Sequence, residues 1–136
     1  MKDIVDAAYA RAIDYNADGA TAPFYQYLRQ KRFCSTRCPS CGHIPFPPRL
    51  FCPACGSQKV DWVDLPGEGE LYAFTQQERS LRFMKPDVLG LVQIAGVGLV
   101  LTSIDAPFET LRIGQRVAVD FQEISPGQVL HRFRPV

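Results

Sequence analysis

The chain has 136 residues, 46% of them hydrophobic, with a formal charge of +1. That length suits one domain or two very small ones, the apolar fraction allows a real core, and the near-zero charge argues against a dedicated polyanion binder. No apolar run approaches a membrane span, and no secretory or lipidation signal follows Met1-Lys2-Asp3, so a cytoplasmic location is expected.

Residues 3–15 read as a helix, with Asp3 as cap and Ile4, Ala8, Ala12 and Tyr15 at helical spacing. Asn16-Ala-Asp-Gly19 ends it. A second short helix is expected from Thr21 to Gln30, with Thr21 as cap, Pro23 in the first turn, and Phe24, Tyr27 and Leu28 on one side. Helices this short are marginal alone, so both need something to pack on. They form an expected helical segment over residues 1–31.

The next segment, residues 32–62, holds the most informative pattern. Cys38-Pro-Ser-Cys41-Gly42 and Cys52-Pro-Ala-Cys55-Gly56 are matched CxxC knuckles separated by ten residues. Four thiolates at that spacing close a tetrahedral shell around one Zn²⁺, and the glycine after each pair lets backbone N–H groups turn toward the sulfurs. A closed four-sulfur shell has no open position, so such a metal supports a fold and does no chemistry. Disulfides are disfavoured because nothing points to an oxidising compartment. A redox CxxC usually occurs once, at the start of a helix. A rubredoxin-type iron site has the same geometry and stays open, with zinc preferred. Cys34 is expected on a strand leading into the ribbon, as a small half-buried hydrophobe. His43, just past the first knuckle, is a weaker ligand candidate than any of the four thiols. Three prolines in Ile44–Phe51 exclude a central strand between the knuckles and suggest a stiff connection. Residues 19–60 contain Arg29, Lys31, Arg32, Arg37, Arg49 and Lys59 and no acid. Even after a Zn(Cys)₄ centre adds about −2, this segment stays positive. It is either a solvated basic face or a surface for a phosphate-bearing ligand or an acidic partner.

After Trp62 the composition changes to short β-like runs between turn residues. These are Leu71–Gln76, Leu89–Ala95, Leu99–Ile104, Arg116–Phe121 and Val129–Arg134, with Gly96-Val97-Gly98 joining the second to the third. About five strands in about 75 residues fit a five-stranded OB-fold barrel over residues 63–136. The fold expected is therefore mainly β: N-terminal helices, a rubredoxin-like ribbon, then the barrel. Tyr72, Phe74 and Phe83 are either core or base-stacking platforms, and core packing is favoured. Residues 61–136 carry seven basic and ten acidic side chains, a poor electrostatic funnel for nucleic acid. Self-contained catalysis is not expected. The only histidines are His43 and His131, no paired carboxylates stand out, and there is no glycine-rich phosphate loop.

With these parts in order, the chain resembles the DUF35 family. The matching stretches are Pro23-Phe24-Tyr25, Arg37–Gly42, Phe46-Pro-Pro-Arg49, Cys52–Gly56, Trp62-Val63 with Gly67-Glu-Gly69, Ile113–Val117 and Arg132–Pro135. The resemblance covers about residues 20–136. Tyr25 stands where the family often has Trp, and the hairpin Leu91–Ile104 is short and glycine-rich. The resemblance implies a non-catalytic subunit of a thiolase-superfamily acyl-CoA complex (a thiolase, acyltransferase or aldolase). Such a subunit stabilises its partner in a hetero-oligomer and helps form the CoA-binding channel. Structural Zn²⁺ on Cys38, Cys41, Cys52 and Cys55, with CoA or acyl-CoA as a shared ligand, would follow. Arginine forks match phosphate oxygens, so Arg49, Arg79, Arg82 and Lys85 are the expected CoA contacts. The alternatives are a nucleic-acid-binding OB-fold and ribbon module, and a pure scaffold that touches no ligand.

Overall fold

The computed structural model describes residues 20–79 and 86–136. Helix α1, Thr21–Arg29, is the one α-helix among them. The leading helix expected over residues 3–15 lies outside the described residues, so the expectation of several N-terminal helices is reduced to one short helix. Its cap is also corrected. Ala20, not Thr21, takes the N-cap position, and no side chain caps it. The helix ends where Lys31 adopts φ 57°, with Gln30 and Lys31 N–H donating to Tyr27 and Leu28 carbonyls at 2.9 Å. Nine residues without a capping side chain are too few to persist alone. Burial of Phe24 and Leu28 against the rest of the chain supplies the missing stability.

The ribbon is framed by two short antiparallel strands, β1 (Cys34–Arg37) and β2 (Asp61–Asp64). Their register places Cys34 opposite Asp64 and Arg37 opposite Asp61. Five further strands follow: β3 (Glu68–Gln77), β4 (Asp87–Ile94), β5 (Gly98–Ile104), β6 (Arg116–Ser125) and β7 (Gln128–Pro135). They form a closed barrel in the order β3-β4-β5-β7-β6. All neighbours are antiparallel except β5 and β7, which meet in a parallel seam at Ser103↔Arg132 and Ile104↔Phe133. Strands β3 and β6 extend beyond the apolar runs that mark them in sequence: the start of β3 pairs with β6 and the rest with β4, while β6 continues to Ser125 along β7.

The barrel core consists of alternate inward residues, among them Leu71, Val92, Ile94, Val100, Val117 and Phe133, all fully buried. Gly69 and Gly90 stand where neighbouring chains approach too closely for a side chain. A bulge between Leu71 and Ala73 interrupts the β3 register. Tyr72, favoured as core from sequence, is 57% exposed there, which corrects that expectation. Phe74 is half-buried and packs edge-on against Phe108, ring centroids 5.4 Å apart. Phe83 lies outside the described residues.

Ribbon, helix and barrel meet at an aromatic junction. Phe33 lies between Phe46, His131 and Phe133, with centroids 5.4, 5.2 and 5.8 Å away. Phe24 of α1 closes the cluster against Phe46 and His131. Main-chain and side-chain bonds fix the docking: Leu65 N–H donates to Phe33 O at 2.8 Å, and Arg29 Nε to Gly127 O at 2.7 Å. No helix among the described residues is long and apolar enough to cross a membrane.

Candidate functional site: a four-thiol centre and a barrel groove

The two knuckles fold identically. Gly42 and Gly56 both have φ 80°, a left-handed conformation that glycine adopts without strain. Gly42 N–H donates to Cys38 O, and Gly56 N–H to Cys52 O, each at 2.8 Å. Cys38 and Cys52 N–H in turn donate to His43 O at 2.9 Å and Ser57 O at 2.8 Å. These turns aim further backbone donors at sulfur. The N–H groups of Cys41 and Ser40 point at Cys38 and draw its thiol down to about 6. At Cys52, burial opposes ionisation, but the N–H groups of Cys55 and Ala54 outweigh it. Donors fixed on sulfur favour thiolate, the form that ligates a metal, at these two cysteines. At Cys41 and Cys55 the N–H groups of His43 and Ser57 act in the same direction but are outweighed by hydrogen bonds with the neighbouring sulfurs, which raise both thiols.

All four Sγ atoms lie within 4.8 Å of one another. Cys38 to Cys55 is 3.6 Å and Cys41 to Cys52 is 3.5 Å. A tetrahedral Zn–S shell with bonds near 2.3 Å has sulfur–sulfur edges of about 3.8 Å. The chemistry of the donor set and its spacing therefore fit one tetrahedral divalent metal. Cys38 and Cys52 are buried while Cys41 and Cys55 are exposed, so the centre sits at the surface with one side against the ribbon. His43 is not part of the cluster. The connection between the knuckles carries no strand, as its prolines imply. It is tied down by buried hydroxyls on β1. Ser35 Oγ donates to Pro45 O, and Thr36 Oγ1 to Arg49 O at 2.6 Å, while Arg49 N–H donates back to Thr36 Oγ1 at 3.1 Å.

Cys34 is on β1, as expected, but is more than a half-buried hydrophobe. It is fully buried, and its S–H donates to Asp64 Oδ1 at 3.2 Å. Asp64 also accepts from both Arg32 Nε and Nη2, at 3.0 and 3.1 Å. Burial, then the Asp64 contact, pushes the Cys34 thiol up to about 12. The Arg32 hydrogen bond, then Cys34, holds the Asp64 carboxyl below its usual range. Only the β1–β2 register brings these residues together, so no sequence signal marks the network.

Arg49 is exposed on the connection between the knuckles, with its main chain pinned by Thr36. Arg79 is exposed after β3, on the wall of an open groove of about 400 Å³. Tyr25, Asp87, Leu89, Leu101, Thr102 and His131 line the same groove. Arg82 and Lys85 lie outside the described residues. The structure thus places Arg49 on the ribbon and Arg79 on the barrel. His131, set aside in sequence as merely one of two histidines, proves to be structural. Its ring sits in the aromatic junction, and Nδ1 is 3.0 Å from Thr102 Oγ1.

Comparisons with known proteins follow this division of the chain. The ChsH2 rubredoxin-like zinc ribbon domain matches residues 26–61, and the ChsH2 C-terminal OB-fold domain matches residues 62–122. The chain is 30% identical over 115 residues to a "Probable enoyl-CoA hydratase alpha subunit" of Thermomonospora curvata. That match covers 82% of this chain but only 36% of the relative, so the chain spans about a third of that protein's length. It is 28% identical over 124 residues to a "DUF35 domain-containing scaffold protein" of Pyrococcus furiosus, covering 83% of this chain and 90% of the relative. Among solved structures it resembles a chain of the "Ltp2-ChsH2(DUF35) aldolase", with TM-score 0.75 and 29% identity. That likeness covers 84% of this chain and 92% of the other. A DUF35 protein of unknown function from Sulfolobus solfataricus shares the fold, with TM-score 0.62 and 18% identity. The paired knuckles, the barrel behind them and these matches agree: the chain belongs to the DUF35 family, with a zinc ribbon and OB-fold of the ChsH2 type.

Proposed function

We propose that this chain is an accessory subunit of an acyl-CoA enzyme, and that a thiolase-superfamily partner supplies the nucleophile and the acid–base groups. The observation that carries this reading is the likeness to a chain of the Ltp2-ChsH2(DUF35) aldolase along 92% of that chain's length. The scaffold and enoyl-CoA hydratase subunit names of the relatives point the same way. So does the site chemistry. Cys38, Cys41, Cys52 and Cys55 would hold one structural zinc ion, and four sulfurs leave that metal no position for substrate. When bound, the ion would cross-link the two knuckles, while the chain's own N–H groups stabilise the thiolates.

The test is co-expression with a thiolase-like subunit encoded next to this chain. A stable hetero-oligomer whose acyl-transfer or aldol activity needs both chains is expected. Robust turnover of acyl-CoA by this chain alone, or no association at all, would overturn the reading. CoA contact is the finer part of the proposal and falls on Arg49, Arg79, Arg82 and Lys85. A lost charged hydrogen bond costs about 1.5–3 kcal/mol, so Arg49→Ala, Arg79→Ala or Arg82→Ala should raise the KM for CoA substrates about ten- to a hundred-fold. Assembly should survive. Unchanged kinetics in all three, with the complex intact, would leave this chain a pure scaffold.

One observation favours a second reading, nucleic-acid binding: exposed Tyr72 offers a stacking face on the barrel. The excess of acidic over basic residues in 61–136 weighs against it. A salt-dependent oligonucleotide titration separates the two.

A further inference from the structure

Two large apolar side chains of the ribbon stand in solvent on a backbone pinned at both ends. The connection between the knuckles packs inward as far as Pro48: Ile44 and Phe46 lie against the core, and Pro48 is buried. The chain then turns outward at Leu50 and Phe51, which are 46% and 48% exposed. On one side of this pair, the fully buried Thr36 hydroxyl donates to Arg49 O and accepts from Arg49 N–H. On the other, Cys52 N–H donates to Ser57 O at 2.8 Å. The equally buried Ser35 holds Pro45 O further back. Both buried hydroxyls are thus committed to fixing a segment whose last two side chains are not covered. Fixing a backbone in advance lowers the ordering cost of binding. The first knuckle offers an internal comparison, because Arg37 and Phe51 each precede the first cysteine of a knuckle. Arg37 reaches back over its own turn, with Nη2 3.8 Å from a Cβ built on Gly42, whereas nothing lies within 4 Å of one built on Gly56. Phe51 therefore leaves its own turn uncovered. The ribbon that carries the pair is basic. Arg37, Arg49 and Lys59 are exposed, residues 19–60 contain no acid, and among the described residues no carboxylate forms an ion pair with any of the three.

We propose that Leu50 and Phe51 anchor this chain in an apolar pocket, rimmed by carboxylates, on the catalytic subunit of its complex. The inference rests on the accessory-subunit reading above and names the surface that serves it. An aromatic and an aliphatic anchor, rigidly held within a charged surround, is the arrangement that concentrates binding energy at protein interfaces. Unpaired cations around such an anchor select an acidic rim and steer its approach. A second copy of the chain is a poor occupant, since two such basic faces would meet like with like. Nucleic acid is also disfavoured, because Leu50 offers no stacking face and three unpaired cations neutralise few phosphates. Arg49, one residue before the anchor, is carried to the subunit boundary by this docking without being part of the anchor. Its contact with CoA and the docking of Leu50 and Phe51 are therefore separable by substitution. Thr36 acts here as a positioning residue: it touches no partner and sets where the pair is presented.

The test is titration calorimetry of the full metal-loaded chain against the separately purified thiolase-like subunit encoded next to it. Leu50→Ser and Phe51→Ser should each raise the Kd about tenfold or more. Both side chains are half in solvent, so metal content and melting temperature should stay as they are, which separates lost docking from lost folding. Thr36→Val should weaken association as well, whereas Thr36→Ser, which keeps the hydroxyl, should restore it. Raising salt from about 0.05 to 0.5 M should weaken the complex about tenfold, as a basic face on an acidic rim requires. Association untouched by both Leu50→Ser and Phe51→Ser, or indifferent to salt, would overturn this inference and leave the accessory-subunit reading standing. No association of the unaltered chain would overturn that reading, and the inference with it. Self-association or oligonucleotide binding that both substitutions abolish would give the pair a different occupant and overturn the proposal.

Discussion

Placing a single methyl group at Gly69 tests the close packing of β3 against β4. Gly69 is buried on β3, opposite Val117 of β6. A Cβ there would lie 2.6 Å from Gln93 O, 2.6 Å from Val92 Cγ1 and 3.3 Å from Ile94 Cγ1. The carbonyl contact decides the outcome. Gln93 is held by Glu70 on one side and Leu99 on the other, so its backbone cannot recede without breaking the ladder. Gly67 is the internal control, since a Cβ there meets only Val119 Cγ1 at 3.5 Å, an ordinary contact. Overpacking costs about 1–3 kcal/mol, and a clash with backbone puts Gly69→Ala toward the upper end. Gly67→Ala should stay within about 0.5 kcal/mol. At about 4 °C per kcal/mol for a domain of this size, Gly69→Ala should melt about 4–12 °C lower. Urea unfolding followed by far-UV circular dichroism measures both variants. If Gly69→Ala proves as stable as Gly67→Ala, the close approach of β3 and β4 is not what reserves this position for glycine.

The remaining predictions concern the ribbon. Cys52→Ser should lower metal content from about one equivalent to below about half, and Trp62 fluorescence should report a loosened ribbon while barrel circular dichroism persists. Metal analysis of the purified variant decides it, and full retention of metal would remove Cys52 from the shell. The Cys34 thiol is raised from 9.0 to about 12 in the folded chain, so its contribution to stability is complete below about pH 9 and is lost as pH rises toward 12. Asp64 is lowered from 3.8, so its contribution is present above that value and is lost as pH falls through the depressed folded value. Stability measured against pH should therefore flatten on the alkaline side in Cys34→Ser and on the acid side in Asp64→Asn. Unchanged slopes in either variant would show that the Arg32–Asp64–Cys34 network does not couple to folding.

Some of this protein is written locally in its sequence. The paired Cys-x-x-Cys-Gly knuckles announce the ribbon because each is a self-contained turn, whose glycine and backbone donors act within a few residues. The prolines between them exclude a strand for a similarly local reason, the missing N–H. The five barrel runs are visible because alternation and turn glycines act over neighbouring residues. What lies beyond that reach was decided only by the tertiary fold. The partnership of Cys34 with Asp64 depends on a strand register spanning the whole ribbon. Tyr72 faces outward because the barrel takes Gly69 and Leu71 as the inward residues of β3, and that choice of face is made by pairing with β4 and β6. His131 becomes part of an aromatic junction because α1, the ribbon and β7 converge on it from distant parts of the chain. The barrel closes through a two-residue parallel seam, and the short contact that leaves β5 half-paired is a property of how strands meet, which no single strand's sequence carries.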